Sequence, residues 1–495
     1  MRSTSFRRLA AWTCLLLLAV VLALPWAPPP RCAERMPAQP GASTPYLPFD
    51  MDEAPTQRKV FAHYMPNLPI SIDNKNGDED YYAQQYLAVN GENGVHAAYG
   101  GLLRDRPLPR AHSSNPDWRV ADLEAEIGQA KSVGIDGFAV DVLAPRSASD
   151  DVDRLLRATE AMGNFTVLIT ADISSPLGAM APADFAADIA PYLTAPGAFH
   201  LSDGRAVLGA FAAERQSTEW WVSVISTLRD KSNVDVAFVP TFLDVADNLE
   251  RFAGFSYGFS EWGGRSPNAM AVQDSGHGSP VDVIRRAHQL GKLWMQPVPF
   301  QDNRPRSGIF VESANGVTNR LAWQLAEQQH AEWVQLLTWN DYVETTAMAP
   351  SVAHGWRILD MNAYDIACFK FGGPPRIVRN ALYLSYRAQP FGALPVYPES
   401  SLMHLLPTSV PARDMIEVVA FATGPSRVVI KTGPHEYSCD VPEGRGICTF
   451  PLSLGPIAAE MWRDGAVVAT ARSNADVTNT PYVQDLQYRV VGGLR

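Results

Sequence analysis

A chain of 495 residues with 46% hydrophobic and 19% charged residues can bury a large core, and this composition excludes wholesale disorder and fibrous repeats. A net charge of −11 with no local run of Lys and Arg removes the electrostatic basis for holding nucleic acid. The chain opens with Arg2, Arg7 and Arg8 ahead of an apolar run from Leu9 to Trp26, closed by Pro28, Pro29 and Pro30. That layout predicts a secretory signal over residues 1–33 and a secreted or periplasmic mature protein without a stable membrane partner. Because the run approaches the length of a membrane span, an uncleaved anchor is the alternative. Residues 34–57, rich in Pro, Gly, Ala and Ser, read as a linker or N-terminal arm.

From 58 to 392, short apolar runs alternate with amphipathic stretches. The runs are Val60 to Tyr64, Gly137 to Val142, Phe165 to Thr170, Ala206 to Phe211, Val236 to Pro240, Phe255 to Ser260, Leu293 to Val298 and Trp333 to Trp339. Between them, Asn115-Pro116 and Ser279-Pro280 place an N-cap and a helix-starting proline ahead of apolar residues at three- and four-residue spacing. Further helices are expected after Ser217 and Thr318. Strands alternating with helices imply parallel pairing, and eight such units predict an α/β fold, a closed (β/α)8 TIM barrel. No strand-to-helix turn carries the glycine-rich pattern of a dinucleotide site.

Over 393–495 the texture becomes short extended runs broken by Gly-Pro, Glu-Gly and Asp-Gly turns, which predicts a small β-sandwich. Its single Trp, Trp462, suits a module that braces the barrel better than one that stacks sugar rings. Cys439 and Cys448 bracket a turn-like Val-Pro-Glu-Gly-Arg-Gly and predict a local disulfide, whereas Cys368 reads as a buried thiol. No Cys or His cluster has zinc spacing, so neither a metal nor another cofactor is expected.

In such a barrel the working residues sit at the C-terminal ends of the strands. Those ends carry His63 and Tyr64, Asp141, Asp172, Glu214, Asp244, Glu261 with Trp262, Gln296, and finally Trp339, Asn340, Asp341, Tyr342 and Glu344. A ring of carboxylates, amides and aromatics without a basic cluster suits neutral, hydroxyl-rich polysaccharide. Asp341 and Glu344 form the sharpest pair, since glycoside hydrolysis needs one carboxyl protonated and another ionised. The bland alternative has Asp341 capping the following turn and Glu344 solvated. His63 is either a ligand for a sugar hydroxyl or a satisfied barrel histidine, and Asp141 and Asp172 either line a subsite or cap loops.

Val60-Phe61-Ala62-His63-Tyr64-Met65, Gly134-Ile135-Asp136-Gly137-Phe138-Ala139, Met295-Gln296-Pro297-Val298 and above all Trp339-Asn340-Asp341-Tyr342-Val343-Glu344 resemble glycoside hydrolase family 71. Its members are endo-acting α-1,3-glucanases, or mutanases. The resemblance runs in order from about residue 59 to Tyr386-Arg387. It implies a barrel hydrolase that inverts anomeric configuration, with Asp341 and Glu344 at the positions of the family's acid pair. The chain departs from the family pattern at Val343 and Thr345, where glycine and serine are usual, and in the insertion from Pro66 to Pro116. The related family 99, which acts on α-mannan, carries a comparable signature, so α-mannan or another exopolysaccharide is the alternative substrate. A non-catalytic carbohydrate-binding barrel is the alternative from outside enzymology.

Overall fold

In the computed structural model, which describes residues 45–51, 56–270 and 279–495, each of the eight apolar runs forms a strand. They are β1 (Lys59–Tyr64), β2 (Gly137–Val142), β3 (Thr166–Asp172), β4 (Ala206–Phe211), β5 (Val236–Phe242), β6 (Gly258–Glu261), β7 (Leu293–Pro299) and β8 (Trp333–Leu337). All pair in parallel and close into a barrel, with Phe61 of β1 opposite Gly137 on one side and Gln335 on the other. The interposed helices are α1 (Trp118–Lys131), α2 (Asp151–Met162), α3 (Pro182–Leu193), α4 (Thr218–Ser232), α5 (Leu249–Phe252), α6 (Pro280–Gln289), α7 (Val317–Gln328) and α8 (Arg357–Phe371). The expected signal, 1–33, lies outside the described residues. Among the described residues no helix is long and apolar enough to cross a membrane.

The period of two along each strand divides the apolar residues between two environments. Phe61, Ala139, Leu168, Val207, Val239, Met295 and Trp333 fill the barrel, while Val60, Ala62, Phe138, Val140, Ile169 and Leu336 pack outward against the helices. Ser279 caps α6 by accepting from the Asp282 amide, with Pro280 in the first turn. Asn115 instead accepts from the Asp117 amide, a side-chain turn that ends before α1 begins at Trp118. The sixth run also shifts. Phe255 packs on Phe252 and Phe238, so it closes the preceding helix and the strand starts only at Gly258.

The C-terminal strands are β9 (Ala381–Tyr386), β10 (Met415–Ala422), β11 (Ser426–Thr432), β12 (His435–Val441), β13 (Gly444–Pro451), β14 (Ile457–Arg463), β15 (Ala466–Arg472) and β16 (Arg489–Gly492). They form two four-stranded sheets, ordered β13-β10-β9-β16 and β12-β11-β14-β15. The sandwich takes its first strand, β9, from ahead of residue 393, and the register explains this. Ala381 and Tyr383 join the core that includes α8, while Leu382, Leu384 and Tyr386 join the core between the sheets. A strand apolar on both faces lacks the alternation that marks a half-exposed one.

A disulfide joins Cys439 of β12 to Cys448 of β13, linking the two sheets with Cα atoms 6.5 Å apart. Cys368 is buried and disulfide-bonded, which corrects its reading as a thiol. In the N-terminal arm, Leu47, Phe49 and Met51 are buried, and the Phe49 ring lies 5.4 Å from Tyr364 and 5.5 Å from Phe421. These residues pack as a strap, because three apolar side chains at alternate positions outweigh the polar composition around them.

Candidate active site

Inward parity at the strand ends brings His63, Asp141 and Gln335 together inside the barrel mouth. Nε2 of Gln335 donates to Nδ1 of His63 at 2.8 Å, which leaves the ring proton on Nε2, 3.8 Å from Oδ2 of Asp141. That gap is longer than a hydrogen bond. Oδ1 of Asp141 is buried with no partner among the described residues, and burial raises its carboxyl above the ordinary range while His63 opposes the rise. Asp141 thus turns one oxygen toward the histidine N–H and keeps the other buried without a partner among the described residues.

After β6 the chain turns at Gly263, whose φ of +68° places any Cβ 2.9 Å from the Pro297 ring. The turn sets the partly exposed Trp262 edge-on to His63 at 4.9 Å and to Phe211 at 4.8 Å, an aromatic wall beside the polar pair. Glu261 also stays partly open, and desolvation raises its carboxyl to about 7 against the pull of Arg265. Arg265 is buried over the Trp262 ring, 5.2 Å from its centre. Its Nη1 donates to the Trp262 and Gly263 carbonyls, while Nε and Nη2 have no hydrogen-bond partner among the described residues.

The loop after β8 is closed at its base by the Thr338 and Thr346 hydroxyls, 3.0 Å apart, and by the Thr346 amide donating to the Asp341 carbonyl. Within it, Oδ1 of Asp341 accepts from the Val343 amide at 2.9 Å and the Glu344 amide at 3.0 Å, so Asp341 does cap its turn. Oδ2 takes no hydrogen bond among the described residues. Glu344 is not simply solvated. Its Oε1 meets Nη1 of Arg304 at 2.8 Å, and Arg304 in turn makes two bonds of 2.7 and 2.6 Å to Asp302. Burial raises the Glu344 carboxyl to about 7, helped by the charge of Asp341 and opposed by Arg304. Burial raises Asp341 as well, against the two amides and Arg304. Arg265 interacts with both Glu344 and Glu261, which ties the β8 loop to the Trp262 wall. Both carboxyls of this loop are thus desolvated, and the charge of Asp341 adds to the rise of Glu344.

The other expected residues make their contacts elsewhere. Tyr64 and Trp339 face outward into the helix layer, where their O–H and N–H donate to the two oxygens of buried Glu126 on α1, at 2.8 and 3.0 Å. Gln296 also faces outward, accepting from the Trp294 indole and donating to the Pro297 carbonyl. Asn340 pins the chain after β1 through Met65 and Leu68. Tyr342 packs with Leu68, Tyr82 and Leu102 of the insertion. The polar groups of Tyr64, Trp339, Gln296 and Asn340 are thus bonded within the protein, while the Tyr342 hydroxyl is buried with no partner among the described residues. Asp172 accepts from the amide and hydroxyl of Ser174 and so caps its loop. Sequence reasoning missed Arg265, Asp302, Arg304 and Glu126. The stretch Gln301-Asp302-Asn303-Arg304 has no apolar period, and Glu126 shows only in the one-turn pairing of α1 against β1.

Among the described residues, no group of three or more His, Cys, Asp or Glu is arranged to hold a metal ion. The model of glycosyl hydrolase family 71 matches residues 112–491. A glucan endo-1,3-alpha-glucosidase of Schizosaccharomyces pombe is 26% identical over 308 residues, covering 56% of this chain and 68% of that protein. A mutanase of Penicillium rubens is 23% identical over 391 residues, covering 74% of this chain and 83% of that protein. Among solved structures, the GH99 endo-alpha-mannosidase from Bacteroides thetaiotaomicron aligns at a TM-score of 0.49 and 13% identity, over 63% of this chain and 98% of that one.

Proposed function

The chain belongs to glycosyl hydrolase family 71, and from that premise we propose that it cleaves α-linked glucan, with endo-1,3-α-glucan as its polymer. The observation that carries the proposal is the pairing of Asp341 and Glu344 in the loop after β8. Both are desolvated, and each keeps an oxygen free of hydrogen bonds among the described residues. Glu344, raised to about 7, is the acid that protonates the departing glycosidic oxygen. Asp341 is the base, since its two backbone amides favour the ionised form, and it activates a water on the opposite face of the sugar. The product then appears with inverted configuration. His63 and Asp141 take sugar hydroxyls, and Trp262 takes an apolar sugar face. The named activities of the two curated relatives support the substrate. Export through the N-terminal segment is part of the same proposal, supported by the basic and apolar order of that segment and by the disulfides.

The test is incubation with α-1,3-glucan, α-mannan, dextran and bacterial exopolysaccharide, with released ends measured for each and the first-formed anomer read by proton NMR. Cleavage of α-1,3-glucan with an initial β signal is the expected result. An initial α signal overturns inversion, and preference for α-mannan overturns the substrate.

A further inference from the structure

Thr345 is one of the two positions in this loop where the chain departs from the family pattern, and its backbone is unusual. Thr345 has a φ of +55°, the left-handed region in which a β-branched residue is strained. Such a conformation persists only where its surroundings hold it. The holding segment is the hairpin entered at Asp302. The Asn303 amide donates to the Glu344 carbonyl at 2.9 Å, and the Thr345 hydroxyl donates to the Asn303 carbonyl at 2.8 Å. The Glu344 side chain is taken by Arg304, whose remaining donors are bound two to one on Asp302. Backbone, hydroxyl and carboxyl of one short turn are thus all fixed by three consecutive residues from a different loop. Asp302 is itself buried, and Nε of Arg265 lies 3.9 Å from the same Oδ2 that Arg304 bonds. The fork of Arg304 can hold only one orientation on it.

We propose that the Asp302–Arg304 pair is the positioning device of Glu344, fixing its carboxyl in the cleft and tuning its charge during the reaction. This rests on the reading of Glu344 as a catalytic acid. The charged groups facing Glu344 are Asp341 on its own loop, Arg304 and Asp302 on the hairpin, and Arg265 after β6. Arg304 favours the ionised carboxylate and Asp302 the protonated acid, so the two members of the pair pull in opposite directions.

The experiment is the pH profile of kcat/KM on α-1,3-glucan for R304Q, D302N, R304K and E344Q, each checked for folding by circular dichroism. Removing Arg304 should move the alkaline limb upward by about one pH unit, and removing the Asp302 charge should move it downward. R304K, which keeps the charge and loses the fork, should return the limb toward the parent while turnover stays reduced. Reduced but measurable kcat/KM in both R304Q and D302N with the limb unmoved, while E344Q is inactive, means the pair only supports the fold and overturns the proposal. Should R304Q not fold, D302N decides alone: a lowered limb supports the pair's role and a fixed limb overturns it. An active E344Q overturns the acid assignment itself, a distinct outcome.

Discussion

Glu126 on α1 and Glu344 in the loop after β8 are both glutamates whose carboxyls burial raises to about 7. Glu126 is walled between helix and barrel, with one oxygen accepting from Tyr64 and the other from Trp339. Glu344 adjoins the cleft, with one oxygen on Arg304 and the other free of hydrogen bonds among the described residues. A raised carboxyl therefore marks enclosure and nothing more. What separates the two is an unfilled oxygen with a path to substrate, and that follows from which face of the strand each one serves.

The largest effect that would sharpen the contrast is on turnover. Glu344→Gln and Asp341→Asn should each lower kcat by at least about a hundredfold, near 2.7 kcal/mol of barrier, with the melting temperature little changed. The contrast breaks if Glu126→Gln does the same. Next comes the aromatic wall: Trp262→Ala should raise KM about tenfold, and more than it lowers kcat, in steady-state kinetics on soluble glucan oligomers. Unchanged KM would remove Trp262 from the cleft.

Glu126→Gln should leave kcat within about threefold and cost about 1–2 kcal/mol of stability, because an amide cannot accept from both Tyr64 and Trp339. Its pH signature has a definite sign. A carboxyl raised from its ordinary 4.5 to about 7 in the folded state contributes stability that is complete below 4.5 and lost as pH rises through 7. Denaturant midpoints measured from pH 5 to 8 should therefore fall less in E126Q than in the parent, and parallel curves would show that Glu126 does not titrate with folding. Smallest of all, Trp339→Phe should lose about 1 kcal/mol through the missing N–H donor and leave KM unchanged, measurable by the same unfolding curves.

The barrel was legible because its strands are buried on both faces and read as short apolar runs with helical spacing between them. The position of Asp341 and Glu344 followed from that count. Strand parity was not legible. Tyr64 adjoins His63 yet takes the opposite face, and Trp339, beyond the end of β8, bonds Glu126 although it shares the parity of inward-facing Gln335, so a roll of strand ends mixes the two faces. Arg265 and Arg304 were missed for another reason. They come from segments after β6 and β7 too short to show a period, Arg265 from a turn and Arg304 from the three-residue strand Asp302–Arg304 that pairs with Ile309–Val311. The strap at 47–51 was hidden by its Pro- and Ala-rich neighbours, although Leu47, Phe49 and Met51 alternate as a strand would.

Strand β9 presents alternate side chains to two cores, Tyr383 to one and Leu384 to the other. Neither half of the molecule can then melt while the other keeps its full complement of neighbours. A sandwich cut away at residue 393 would leave Leu382, Leu384 and Tyr386 facing water on what remained. Calorimetry should show one cooperative transition, and a chain ended at 392 should be insoluble rather than a minimal hydrolase.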